Sequence, residues 1–223
     1  HVAPNTRPAD YRSLRDFALA LRGDKADQDA VIEIFSWVAG SHWQERMLIT
    51  GLRRRAVELL TTEWYERGAD SDGIMVMDTE RLARLLPWGL LCGQASNLFA
   101  GLCEQAGFHT NILHLAHPTH GGHVLVHVWW NNAPHFFDPN HGVYWMRDGK
   151  VLSFEEVRQD QGITAAGYED VGYSSEFARV SAEILCDGDL TVTQYQNLCR
   201  KHVGLVAKTY RLGAILFSAF RMP

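Results

Sequence analysis

The stretch Trp88-Gly-Leu-Leu-Cys92-Gly-Gln-Ala-Ser-Asn-Leu-Phe-Ala-Gly-Leu-Cys103-Glu-Gln-Ala-Gly107 decides how the rest of the chain is read. From Cys92 onward the apolar residues Ala95, Leu98, Phe99, Leu102 and Ala106 fall at helical spacing. Gly107 is the stop signal of such a helix, and Pro87 and Gly89 break the chain just before it. Cys92 is therefore expected in or beside the first turn of a mostly buried helix. There the unpaired backbone N–H groups and the helix dipole favour negative charge. A thiol so placed is drawn toward thiolate, its reactive form. Taken alone, one cysteine at such a position reads as a small buried apolar residue; the residues downstream of it change that.

The period then shifts from 3.6 to 2. Thr110 to Ala116, His123 to Trp130, His135 to Asp138 and Val143 to Met146 read as strands. Asn131-Asn-Ala-Pro134 and Arg147-Asp-Gly-Lys150 are the turns. A two-residue hairpin at Asn132-Ala133 would set residue 127 opposite 138. Before Cys92 the chain is helical: Tyr11 to Leu21, and a segment from Asp27 through Val38 that Gly40-Ser41 should end. Glu45 to Glu66 comes next as one long helix or two short ones, and Asp78 to Leu86 as a capped helix. Gly68 to Gly73 is a polar loop. After the strands, Ser153-Phe-Glu-Glu156 is a capping box. The tail from Tyr173 should be mostly helical, with Ala182 to Cys186 and Thr191 to Cys199 the clearest pieces. Helices, then an antiparallel sheet, then helices make an α+β domain. It is expected to be one domain over 1–223, with a core at about 11–150 and a helical C-terminal appendage at about 151–223.

Bulk properties exclude several functions. The 223 residues are 46% apolar, enough for one real core, and carry a net charge of −5. No basic surface argues for nucleic acid, and Arg53-Arg54-Arg55 reads as the solvated face of a helix. Cys92, Cys103, Cys186 and Cys199 form no C-x-x-C pair, so neither a disulfide scaffold nor a thiolate zinc site is expected. That usage fits a reducing compartment, and the expected location is the cytoplasm. The chain opens on His1 rather than Met, and a removed signal peptide is the other reading. The most apolar segment, Val203 to Phe220, is interrupted by Lys208 and Arg211 and reads as an amphipathic helix, not a membrane span.

Cys92, His123 and Asp138 now stand out together. A thiol nucleophile needs a base for its proton, and the base needs a partner to hold its tautomer. A helix start and two neighbouring strands supply these in the order Cys, His, Asp. Other readings stay open. Eight of the eleven histidines lie between His109 and His141, so His123, His127 and Asp138 could be zinc ligands. The helical His-Glu-x-x-His pattern is absent, however, and no metal or other cofactor is expected. Asp138-Pro139 could be a plain turn, and the fold could serve as a non-catalytic binding module.

The segment from Cys92 to Phe108 resembles the nucleophile helix of the transglutaminase-like superfamily. His123-Val-Leu-Val-His-Val-Trp-Trp-Asn-Asn-Ala-Pro-His-Phe-Phe-Asp138-Pro139 is similar to its histidine strand, turn and Asp-Pro strand. Ala30 to Val38, with Trp37-Val38, is similar to the helix that often precedes that core. The resemblance covers roughly Tyr11 to Lys150. It implies a papain-like core with Cys92 as nucleophile, His123 as general base and acid, and Asp138 as the residue that orients it. The family strand usually reads His-x-Trp, which His127-Val-Trp129 fits, so His127 is the alternative base. Spacing to Asp138 and the preceding Gly121-Gly122 favour His123. The implied chemistry is acyl transfer through a thioester, most simply hydrolysis of an amide or isopeptide bond. Transfer to an amine is the alternative, and arylamine acetyltransferases and peptide N-glycanases share the residue order. The substrate would be a peptide, a protein or a small acyl or amide compound. One oxyanion donor would be the backbone N–H of Cys92; Trp43, with Gln44 beside it, is the candidate for a second.

Overall fold

A computed structural model describes residues 8–46, 79, 82–83, 90 and 92–195. Helix α1 (Leu14–Arg22) starts where Ser13 accepts the Asp16 N–H at 3.1 Å, a cap worth about 1 kcal/mol. It buries Leu14, Phe17, Ala18 and Leu21, and Gly23 ends it. Helix α2 (Asp27–Arg46) does not stop at Gly40-Ser41. An interior glycine costs a helix only about 1 kcal/mol and ends it only when the chain turns left-handed there, which Gly40 does not do. The expected helix start at Glu45 is thus the last turn of α2. The rest of that segment, the 68–73 loop and the Val203 to Phe220 helix lie outside the described residues. Of the expected 78–86 helix, Thr79, Leu82 and Ala83 are described and helical.

Helix α3 (Cys92–Gln105) closes as its glycine requires. Gly107 adopts φ +93°, its N–H bonds the Glu104 carbonyl, and the Phe108 N–H reaches back to Cys103 at 2.9 Å. The Arg22 guanidinium donates to the Ala106 carbonyl at 2.6 Å and lies over the Phe108 ring, tying α1 to this end of α3.

Strands β1 (His109–His117), β2 (Gly121–Trp130), β3 (Ala133–Asp138), β4 (Val143–Tyr144) and β7 (Asp189–Gln194) form an antiparallel sheet in the order β4-β3-β2-β1-β7. The short strands β5 (Met146–Arg147) and β6 (Lys150–Val151) pair separately. The β2–β3 hairpin turns at Asn131-Asn132, not at Asn132-Ala133. Both asparagines have positive φ, 51° and 59°, the conformation of a two-residue primed turn. The register therefore slips from the expected one, and His127 pairs with Phe136 rather than with Asp138. The expected helix at Thr191 to Cys199 begins instead as β7. The alternating β-branched run Thr191-Val192-Thr193 pairs with His114 to Ile112 of β1, and strand pairing overrides the helical stripe.

Residues alternate between the two sheet faces. One face, with Ile112, Val126, Val128 and Phe137, packs on Phe17, Ile34, Leu98 and Phe99 of α1 to α3. The other, with Leu113, Leu125 and Phe136, packs on helices α4 (Phe154–Arg158), α5 (Gln161–Asp170) and α6 (Ser175–Asp187) through Phe154, Tyr168 and Leu185. The expected capping box at Ser153 and Glu156 opens α4. Helix α5, capped by Asp160, has no counterpart among the expected elements. The architecture is α+β, an antiparallel sheet between two helical layers. No helix among the described residues is long and apolar enough to cross a membrane.

Candidate active site

Cys92 opens α3, so its thiol lies beside the unpaired N–H groups of a helix start. The hydroxyl of Ser96, one turn on, donates to the Val124 carbonyl at 2.7 Å. That bond fixes the start of α3 against β2 next to His123. In β2, His123 shares a face with Leu125 and His127, and β3 ends on the same face with Asp138.

The structure brings Cys92, His123 and Asp138 together. Asp138 is fully buried, and His123 is 8% exposed. His123 Nε2 lies 2.8 Å from Asp138 Oδ2. An ionised carboxylate only accepts, so Nε2 carries a hydrogen and donates it. The thiol of Cys92 interacts with the same imidazole by hydrogen bond and charge.

The electrostatics follow from this geometry. Burial opposes ionisation of Cys92, but the hydrogen bond and charge of His123 and the Gly93 N–H outweigh it, and the thiol titrates below its ordinary value. Burial also opposes protonation of His123. The charge and hydrogen bond of Asp138, with a smaller contribution from Cys92, push its pKa up to about 10. Asp138 would be raised by burial, yet His123 and His141 hold it well below the usual carboxylate range. The outcome is a thiol whose ionisation is eased by a protonated imidazole, which a buried carboxylate backs in turn. Burial pushes the other described thiols the opposite way: Cys103 is raised well above its ordinary value and Cys186 is raised. Cys199 lies outside the described residues.

His127 stands apart. Its ring sits edge-on to Phe136 and Phe154, and its Nε2 has no hydrogen-bond partner. Burial, with the nearby His135 charge, lowers its pKa to about 4, so it is neutral at pH 7. Trp43 and Gln44 belong to α2, and their side chains are outside the described residues.

Two residues of the cluster escaped the sequence reading. His141 donates its backbone N–H to Asp138 Oδ1 at 3.1 Å and places its ring Nδ1 2.8 Å from Oδ2. Its signal was local: an Asp-Pro pair with a polar residue at the third position after the aspartate, a turn in which the aspartate accepts from the chain ahead. The buried Tyr168 of α5 donates its hydroxyl to Oδ2 at 2.9 Å, and no local pattern announces that. The turn from Asp138 is completed by the Gly142 N–H bonding the Asp138 carbonyl at 3.0 Å, with Gly142 at φ +72°.

His123, Asp138 and His141 each place a donor atom within 4.8 Å of the others, a set that a divalent ion could use. The zinc set with His127 is not assembled. In the observed cluster both imidazole N–H groups are spent on Asp138 Oδ2, and His123 is also engaged by Cys92. A metal would have to displace protons that already satisfy a buried carboxylate, so the donor set fits a hydrogen-bonded relay better than a metal centre.

Comparison with known protein families, with curated proteins and with solved structures returns no match to this chain.

Proposed function

We propose that the protein is a cysteine-dependent acyl-transfer enzyme with a papain-like, transglutaminase-like core, acting on an amide or isopeptide bond. The observation that carries the reading is the buried His123–Asp138 hydrogen bond at 2.8 Å, with the helix-start thiol of Cys92 interacting with the same imidazole. Each group has the property its role needs. Cys92 ionises easily because a cation sits beside it. His123 holds a proton because Asp138 is ionised behind it.

In this mechanism the Cys92 thiolate attacks the substrate carbonyl carbon, and the carbonyl π electrons move onto oxygen. The backbone N–H of Cys92 is one donor to that oxyanion, and Trp43 is our candidate for the second. The oxyanion collapses, the C–N bond breaks, and the leaving nitrogen takes the proton from His123. A thioester remains on Cys92. His123, now neutral, takes a proton from water as the water oxygen attacks the thioester. The acid leaves and the thiolate–imidazolium pair is restored. An amine in place of water would give a new amide by the same steps, so the first half-reaction is common to both outcomes.

The test uses a generic acyl donor, p-nitrophenyl acetate, with mass spectrometry of the cysteine peptides. Cys92 should gain one acetyl group ahead of Cys103 and Cys186, and Cys92→Ser should abolish the p-nitrophenol burst. Acetylation of Cys92 no faster than of Cys186 would sink the reading in favour of a binding module.

A further inference from the structure

Asp138 does more than hold one histidine. Its Oδ2 receives three donors: His123 Nε2 at 2.8 Å, His141 Nδ1 at 2.8 Å and the Tyr168 hydroxyl at 2.9 Å. Because the carboxylate accepts only, His141 Nδ1 must carry a hydrogen. Two imidazoles thus share one oxygen. Their rings lie 4.7 Å apart, centroid to centroid.

His141 is held in that place by three aromatic rings. Tyr168, Tyr173 and Phe177 meet its ring edge-on at centroid distances of 5.6, 5.4 and 5.1 Å. Tyr173 and Phe177 stack on each other at 4.3 Å. Edge-to-face packing fixes the plane of a ring, so Nδ1 is aimed, not merely near. A backbone N–H alone would have satisfied Oδ1. The ring contact on Oδ2 is an additional donor to the oxygen that already serves His123.

We propose that His141 is a positioning residue that draws part of the Asp138 charge away from His123 and thereby sets the pH at which the Cys92 thiol ionises. The physics is competition. Each donor to one oxygen takes a share of its negative charge, and what His141 takes is lost to His123. An unshared carboxylate would hold the His123 proton too tightly to release it to a leaving nitrogen. Among the described residues, the titratable groups that face this carboxylate are His123 from β2, His141 from the turn after β3 and Tyr168 from α5; Cys92 of α3 joins through His123, and Tyr173 through His141. This rests on the acyl-transfer reading of Cys92.

The test is the pH profile of Cys92 alkylation by iodoacetamide, resolved by peptide mass spectrometry on the full chain. His141→Phe keeps a ring against Tyr168, Tyr173 and Phe177 but has no N–H. His141→Asn loses the ring but can return a donor to Oδ2. His141→Leu is a second donor-free variant, and thermal melts show that each is folded. The midpoint for His141→Phe and His141→Leu should fall by about 0.5 to 1 unit, the share of one charge-assisted bond, and that for His141→Asn should return to the wild-type value. A donor-free midpoint at or above wild type, or His141→Asn behaving like His141→Phe, overturns this proposal alone. A wild-type Cys92 midpoint no lower than that of Cys186 overturns the acyl-transfer reading and this proposal with it.

Discussion

The hydroxyl of Tyr168 donates to Asp138 Oδ2 at 2.9 Å across 30 residues of chain, so a helix well beyond the sheet helps to hold the carboxylate beside His123. Helices α5 and α6 are therefore part of the site's construction. Tyr168 and Phe177 reach Asp138 and His141 directly, from the layer opposite the one that supplies Cys92. The candidate site joins both layers across the start of β2.

Tyr168→Phe removes one hydroxyl and nothing else. Tyr168 is fully buried, and so is the carboxylate it serves. Loss of one donor to a buried charge should cost about 1–3 kcal/mol, read as a lower urea midpoint with an unchanged slope. By the sharing of charge on Oδ2, more of it then falls to His123, and Cys92 alkylation at pH 6 should not decline. A fall in alkylation with no loss of stability would contradict both statements.

Asp138→Asn keeps the shape and removes the charge. His123 then loses what holds its pKa near 10, and burial pulls it down. The Cys92 alkylation midpoint should rise by about 1 to 3 units, the usual reach of an adjacent opposite charge. Stability should respond to pH as well. His123 has a raised pKa, so its contribution is complete below its ordinary 6.5 and is lost as pH climbs toward 10. Asp138 has a depressed pKa, so its contribution is present above its ordinary 3.8 and is lost as pH falls below that value. Wild-type protein should weaken at both ends, and the variant should show a flatter alkaline limb in urea titrations across pH.

Much of this site was legible in the sequence because its parts are local. Cys92 is marked by the helix it opens, and Gly107 closes that helix by left-handed geometry that only glycine enters cheaply. His123 and Asp138 are polar residues in apolar strands buried on both faces. The slip at Asn131-Asn132 shows the limit: a hairpin register turns on which two residues take positive φ, and two adjacent asparagines admit either choice. Tyr168 was invisible because its role depends on α5 packing at β4, beside the end of β3, a contact that no neighbouring residue encodes. Thr191-Val192-Thr193 was misread because a short apolar stripe fits either period until a partner strand is known.

Gly167→Ala tests how tightly α5 is seated. A Cβ at Gly167 would fall 2.2 Å from Trp145 Nε1 and 2.8 Å from its Cδ1. The indole cannot yield freely, because it is buried, stacks on Phe136 at 5.0 Å and donates to the Thr164 carbonyl at 3.2 Å. Relief must come from α5 shifting outward, which carries the adjacent Tyr168 away from Asp138. The expected cost is about 1–3 kcal/mol of stability from overpacking, together with a displaced Cys92 alkylation midpoint. Gly172→Ala, at a turn where a Cβ meets nothing within 4 Å but φ is +93°, should lose stability without moving that midpoint.

His127 and His123 stand four residues apart on one strand face, and their variants should behave oppositely. His123→Ala removes the imidazole that both ionises Cys92 and bonds Asp138, so it should abolish selective alkylation of Cys92 at pH 6 and leave a buried carboxylate short of one donor. That second effect should cost about 1–3 kcal/mol. His127 touches neither group. Its pKa lies near 4 in the fold and at an ordinary 6.5 in the unfolded chain, so the unfolded state takes up a proton first as pH falls. The penalty is absent above pH 6.5, grows through the window down to 4, and reaches on the order of 3 kcal/mol at its acid end. His127→Leu abolishes that proton uptake and fills the space against Phe136 and Phe154 with apolar atoms. It should therefore keep full Cys92 alkylation at pH 6 while holding its urea midpoint better than wild type between pH 6.5 and 4. Loss of Cys92 alkylation in His127→Leu but not in His123→Ala would move the base from one histidine to the other.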